Sequence, residues 1–188
     1  AFALAWAQHL GTGAAPIAID VEGHGRHEDL PARSGTSEGN IDLSRTVGWF
    51  TTKYPVSLAV GGLRWTQVVA GDAALGAVIK EAKEQLRAMP DGLTYGLLRY
   101  LNPEVDLPES DPAIGFNYLG RLGSPAAYAS GDVWRFSQEG LSLTGAAGAM
   151  PIALPHTVEL NAVTIDTDTG PHLNATWTWA PTALDRMA

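Results

Sequence analysis

Residues 17–30 read IAIDVEGHGRHEDL. Ile17, Ile19 and Val21 alternate with Ala18 and Asp20, and the run from Pro16 to Val21 has the composition of a short buried strand. It delivers a carboxylate, Glu22, into a segment holding Gly23, His24, Gly25, Arg26 and His27. Three readings follow from the spacing. The plainest is a structural turn whose charges are solvated. The second is a metal site from His24, His27 and Glu28, whose i,i+3 and i,i+4 spacings suit a helix that the glycines oppose. The third is a catalytic loop. There, Gly23 and Gly25 permit positive φ and close approach of a substrate, and a partly desolvated Glu22 works as a general base, with Arg26 orienting it or a partner.

Working outward, the apolar run AFALAWAQHL at 1–10 predicts a helix ended by Gly11 and Gly13. Residues 22–42, rich in Gly, Ser, Glu and Asp, read as a loop. TVGWFTTKYPVSLAV at 46–60 predicts a strand, with Pro55 marking an edge or a bulge. Asp72 is a fitting N-cap for a helix with Leu75, Val78, Ile79, Ala82, Leu86 and Met89 on one stripe. LTYGLLRYL at 93–101 predicts another. AIGFNYLG at 113–120 reads as a buried strand closed by Gly120, and DVWRFS at 132–137 as a further strand. HTVELNAVTID and HLNATWTWA flank the turn TDTGP, a hairpin pattern that places Trp177 and Trp179 on one, buried face. The whole predicts an α+β fold, a mixed or antiparallel sheet with two or three helices packed on it.

The 188 residues suit one domain or one lobe of a larger domain. A net charge of −8, with lysine only at 53, 80 and 83, argues against nucleic acid as a partner. The absence of cysteine excludes disulfides and thiolate metal sites and fits a cytoplasmic protein. The opening apolar run is too short to span a bilayer, so no membrane partner is expected. Residue 1 lies inside a helical pattern, and the helix signal at Pro181–Met187 stops with the chain, so both ends read as cut.

Four stretches in order, VEGHGR (21–26), TVGWFTTKYPV (46–56), YGLLRYL (95–101) and FNYLG (116–120), together resemble the signature motifs of epimerization domains in non-ribosomal peptide synthetases. These belong to the condensation-domain superfamily, whose fold is similar to chloramphenicol acetyltransferase. The resemblance implies two lobes forming a V around a tunnel. The first lobe's His-His-x-x-x-Asp-Gly motif is absent, so residues 1–188 are expected to be the C-terminal lobe alone. The activity implied is inversion from L to D at the α-carbon of an aminoacyl or peptidyl thioester, in secondary-metabolite and antibiotic biosynthesis. No cofactor binds directly; a peptidyl carrier protein brings the substrate on its phosphopantetheine arm. The isolated lobe is expected to be inactive.

By the same resemblance, Glu22 is the catalytic acid/base, and Asn117 and Tyr118 lie at the active site. Gly23, His24, Gly25 and Arg26 support the loop. Thr46, Gly48, Trp49 and Phe50 shape core and tunnel wall; Tyr95, Gly96 and Tyr100 are structural. His156 and His172 match no motif and read as surface or turn histidines. His27 departs from the family pattern, which places Glu after the Arg; Glu28 follows one position later. Two alternatives remain open: a non-catalytic condensation-like module that recruits a carrier protein, and part of a condensation domain forming amide bonds.

Overall fold

The computed structural model describes residues 2–11, 15–27, 42–90, 92–107, 111–122, 154–167 and 169–181. Along the chain run α1 (Phe2–Leu10), β1 (Ile17–His24), β2 (Thr51–Leu58), α2 (Trp65–Val69), α3 (Ala74–Arg87), α4 (Gly92–Leu101), β3 (Ile114–Leu122), β4 (Val158–Thr167) and β5 (Gly170–Trp179). The strands form one mixed sheet in the order β2-β1-β3-β4-β5. Antiparallel pairs close both edges, β1 with β2 and β4 with β5; β3 joins the two halves by parallel pairing. The α+β expectation is met. No helix among the described residues is long and apolar enough to cross a membrane.

Alternation along the strands separates the sheet's two faces. Ile17, Ile19 and Val21 of β1 share a face with Val56, Ile114 and Phe116, and this face meets Leu4 and Ala7 of α1. Ile114 is 1% exposed at the centre of that core. Ile114→Ala is expected to cost about 2–5 kcal/mol, read as a lowered denaturant midpoint at unchanged slope. At the other side of the core, α4 begins tightly against β2. A Cβ on Gly92 would collide with the Tyr54 ring, so only glycine fits there.

Several expectations are corrected. β1 continues through Gly23 to His24, so the loop begins later than residue 22. Neither Gly23 nor Gly25 has positive φ; His27 takes that conformation instead, at 45°. Gly23 serves packing, since a Cβ there would lie 2.9 Å from Thr52 Oγ1. Gly120 does not end β3. It adopts φ 88° within a bulge between Tyr118 and Arg121, where the pairing with β4 shifts, and the strand resumes. The five-residue α2 escaped the sequence pattern because it is too short for a periodic stripe. Trp177 and Trp179 do share a face, but at 40% and 39% exposed they are not buried. They sit on edge strand β5, and the helices described here pack at the β2 end of the sheet. Pro55 does lie on an edge strand. The strand expected at 132–137 lies outside the described residues.

α3 starts one turn-position later than the Asp72 cap suggests, though Asp72 Oδ1 does accept from the Ala74 amide at 2.9 Å. Its apolar stripe is only partly covered, with Ile79 65% exposed.

Candidate functional site

The face opposite the core carries Asp20, Glu22 and His24 in succession along β1. Register extends the polar character sideways. Glu22 is paired with Lys53 on β2 and Asn117 on β3, and Asn117 with Asn161 on β4. A small cavity of about 50 Å³ lies here, lined by Asp20, Glu22, Lys53, Asn117, His156 and Asn161 among others. That is room for one or two waters.

His24 Nε2 donates to Asn117 Oδ1 at 2.8 Å. An amide oxygen only accepts, so the proton sits on Nε2, and Nδ1 is left to accept from the Thr51 hydroxyl at 3.2 Å. This fixes both the ring and the amide beside Glu22. Arg26 reaches back to the next motif. Its Nη2 donates to the Thr46 carbonyl at 3.1 Å and its guanidinium lies 5.1 Å from the centre of the Phe50 ring. The Gly25 amide donates to the Phe50 carbonyl at 3.2 Å. Arg26 therefore ties two motifs together, and among the described residues it makes no ion pair with Glu22.

Beneath Glu22 lies a charged cluster. Asp20 Oδ2 accepts from Lys53 Nζ at 3.3 Å and from His156 Nε2 at 3.0 Å. Lys53 Nζ also meets Asp111 Oδ2 at 2.5 Å, and Arg99 Nη1 lies 3.0 Å from Asp111 Oδ1. Asp20, Asp111 and His156 offer atoms within 4.8 Å of one another, a spacing compatible with a metal ion. The Lys53 ammonium, bonded to both carboxylates, already supplies the cation there. Burial pushes the Lys53 amine down, but its bonds to Asp111 and Asp20 outweigh this and hold it above the ordinary lysine value. Glu22, the register neighbour of Lys53, has no ion pair among the described residues.

The hydrogen bond from Lys53, stronger than the opposing effect of burial and helped by the charges of Lys53, Arg99 and His156, holds the Asp111 carboxyl below its ordinary 3.8. A depressed carboxyl stabilises the fold fully above its unfolded pKa and loses that contribution as pH falls through the folded value. Asp111→Asn is thus expected to lower stability near neutrality. The gap to wild type should narrow as pH falls below about 4, in denaturation midpoints measured across that range.

The structure brings Glu22, His24 and Asn117 together. It does not bring Tyr118: alternation turns that residue to the opposite face, where it is 41% exposed and its hydroxyl shares a 2.9 Å hydrogen bond with Thr164. Thr46, Gly48 and Trp49 are not core; Trp49 is 90% exposed, because residues 42–50 run outside helix and strand ahead of β2. Only Phe50 is half-buried, under Arg26. His27 is half-buried, and its Nε2 is enclosed without a partner among the described residues. Glu28, the third member of the metal reading, lies outside them. His172 is exposed, as expected, but it lies in strand β5 opposite Ile165 and is bonded to Thr169 at the hairpin turn. His156 is not at the surface: it is buried, only 9% exposed. The sequence reading missed Asp20, Lys53, Asp111 and His156. One signal was present, since an aspartate between Ile19 and Val21 in a buried strand needs a partner.

No family model matches the chain. A linear gramicidin synthase of Brevibacillus parabrevis is 36% identical over 185 residues, 95% of this chain and 2% of that protein. Chondramide synthase cmdD of Chondromyces crocatus is 45% identical over 122 residues, 64% of this chain and 3% of that protein. The crystal structure of the epimerization domain from the third module of tyrocidine synthetase B is similar at a TM-score of 0.55 and 27% identity, over 94% of this chain and 34% of that one. The chain thus spans a small part of each relative. With the mixed sheet, the shared fold and Glu22, His24 and Asn117 gathered on one face, these likenesses place the chain in the condensation and epimerization domain family of non-ribosomal peptide synthetases.

Proposed function

We propose that the chain is the C-terminal lobe of an epimerization domain, and that Glu22 transfers a proton at the α-carbon of a carrier-bound aminoacyl or peptidyl thioester. The observation that carries this reading is the state of Glu22. It is half-buried on the polar face, between Lys53 and Asn117, and the lysine beside it is already committed to Asp20 and Asp111. A carboxylate clamped by an ammonium is a poor base; one beside a cavity, with no ion pair among the described residues, is available.

Removing the α-proton moves its electron pair into the thioester carbonyl, giving an enolate. Returning a proton to the opposite face inverts the centre, with no net change in bonds or oxidation state. Asn117, held by His24, offers its amide N–H₂ near Glu22, a donor suited to the carbonyl or the amine of the substrate. The second proton donor belongs to the partner lobe with the paired histidines. The peptidyl carrier protein presents its phosphopantetheine arm to the cleft between the lobes, in the cytoplasm.

The test is the product of the intact domain with an L-aminoacyl carrier protein. Chiral analysis is expected to show a mixture of L and D forms. Unchanged L thioester, or a new amide bond once an aminoacyl acceptor is added, would replace this reading by carrier recruitment or by condensation.

A further inference from the structure

The buried cluster under Glu22 contains a histidine with an unusual set of neighbours. The His156 side chain is 7% exposed and that of Asp20 4%. Nε2 lies 3.0 Å from Asp20 Oδ2, and Nδ1 lies 3.3 Å from Glu159 Oε1. An ionised carboxylate only accepts, and a neutral imidazole carries one N–H, so serving both requires the doubly protonated ring. The charges point the same way: Asp20, Glu22, Asp111 and Glu159 bring four carboxylates to this face, against the two permanent cations Lys53 and Arg99, and an imidazolium reduces the excess.

The ring also has a dedicated slot. A Cβ on Gly115 would lie 2.6 Å from His156 Nδ1, so the imidazole rests against bare β3 backbone. Gly115 is the register partner of both Asp20 on β1 and Glu159 on β4. His156 therefore bridges β1 to β4 across β3. It does so at a narrow seam, since β1 pairs with β3 only at Asp20, Val21 and Glu22. That seam sets where Glu22 stands relative to Asn117.

We propose that His156, held as an imidazolium between Asp20 and Glu159, is a positioning residue for Glu22. It acts through Asp20, two residues before Glu22 on the same face of the same strand. It touches no substrate. A displacement of Glu22 of about 1 Å is enough to lower turnover on the order of 100-fold.

The experiment uses the intact epimerization domain with ¹⁵N-labelled histidine. The wild-type spectrum is expected to show His156 with both ring nitrogens protonated, and a neutral ring would overturn the proposal. His156→Gln cannot donate along both ring directions. It is expected to lower kcat for exchange at the α-carbon by about 10–100-fold, at unchanged KM and with the fold retained. A folded variant with wild-type kcat would also overturn the proposal. Glu159→Gln, a milder change, covers the case in which His156→Gln does not fold. It should convert His156 to a singly protonated ring and lower kcat in the same sense. An unchanged ring and kcat in that variant would count against the proposal. The inference rests on Glu22 being the acid/base group, and the two fail differently. Exchange that survives Glu22→Gln removes that reading itself. Full kcat in His156→Gln, with Glu22→Gln inactive, removes only the positioning role.

Discussion

Glu22→Gln in the intact domain is expected to slow inversion at the α-carbon by about 10²–10⁴-fold, with thermal stability close to wild type. Glutamine keeps the shape of the side chain and loses only its capacity to take and return a proton. Stability should survive because no ion pair among the described residues depends on Glu22, and its strand is held from both sides by Lys53's row and Asn117's row. Rate and melting curve, measured on the same preparation, separate a chemical role from a structural one. A large loss of stability in this variant would mean that the carboxylate holds the fold instead.

Asp20→Ala, two residues away on the same face, should lose the stability that Glu22→Gln keeps. Asp20 Oδ2 accepts from both Lys53 and His156, and its side chain is 4% exposed. Removing it leaves a buried imidazolium with one partner fewer and frees Lys53 from one of its two carboxylates. Breaking a buried pair by deleting one partner costs about 3–5 kcal/mol, because the remaining charge stays desolvated. Chemical denaturation of the variant should show a drop of that order. A change below about 0.5 kcal/mol, typical of a surface substitution, would mean the cluster is solvated and contributes little. Activity should fall as well, since the clamp beneath Glu22 is gone.

Local pattern carried much of the fold into the sequence. Ile17–Val21, the stripe on α3 and the hairpin around Gly170 each follow one period and were legible without tertiary information. What failed was decided by contact. Gly23 reads as a break, yet it is a strand residue kept small by Thr52 on the neighbouring strand. Gly120 reads as a terminus, yet it is the left-handed residue of a bulge. Trp177 and Trp179 have the alternation of a core face, but they lie on the edge strand away from the described helices.

The site divides along the same line. Glu22, His24 and Asn117 were legible through their motifs, and the register brings them together. Tyr118 follows Asn117 in the same motif, and the pleat alone sends it to the other face. The cluster of Asp20, Lys53, Asp111 and His156 draws on positions up to 136 residues apart. No local pattern announces such a set. Only the lone aspartate in an apolar strand hinted that a buried partner was needed.

The central claim is that Glu22 moves the α-proton. Its most direct test is deuterium incorporation at the α-carbon of a carrier-bound thioester, with the intact domain in heavy water, for wild type and Glu22→Gln side by side. The account predicts rapid incorporation by the wild type and incorporation near the uncatalysed background by the variant. Equal incorporation by the two proteins would contradict it.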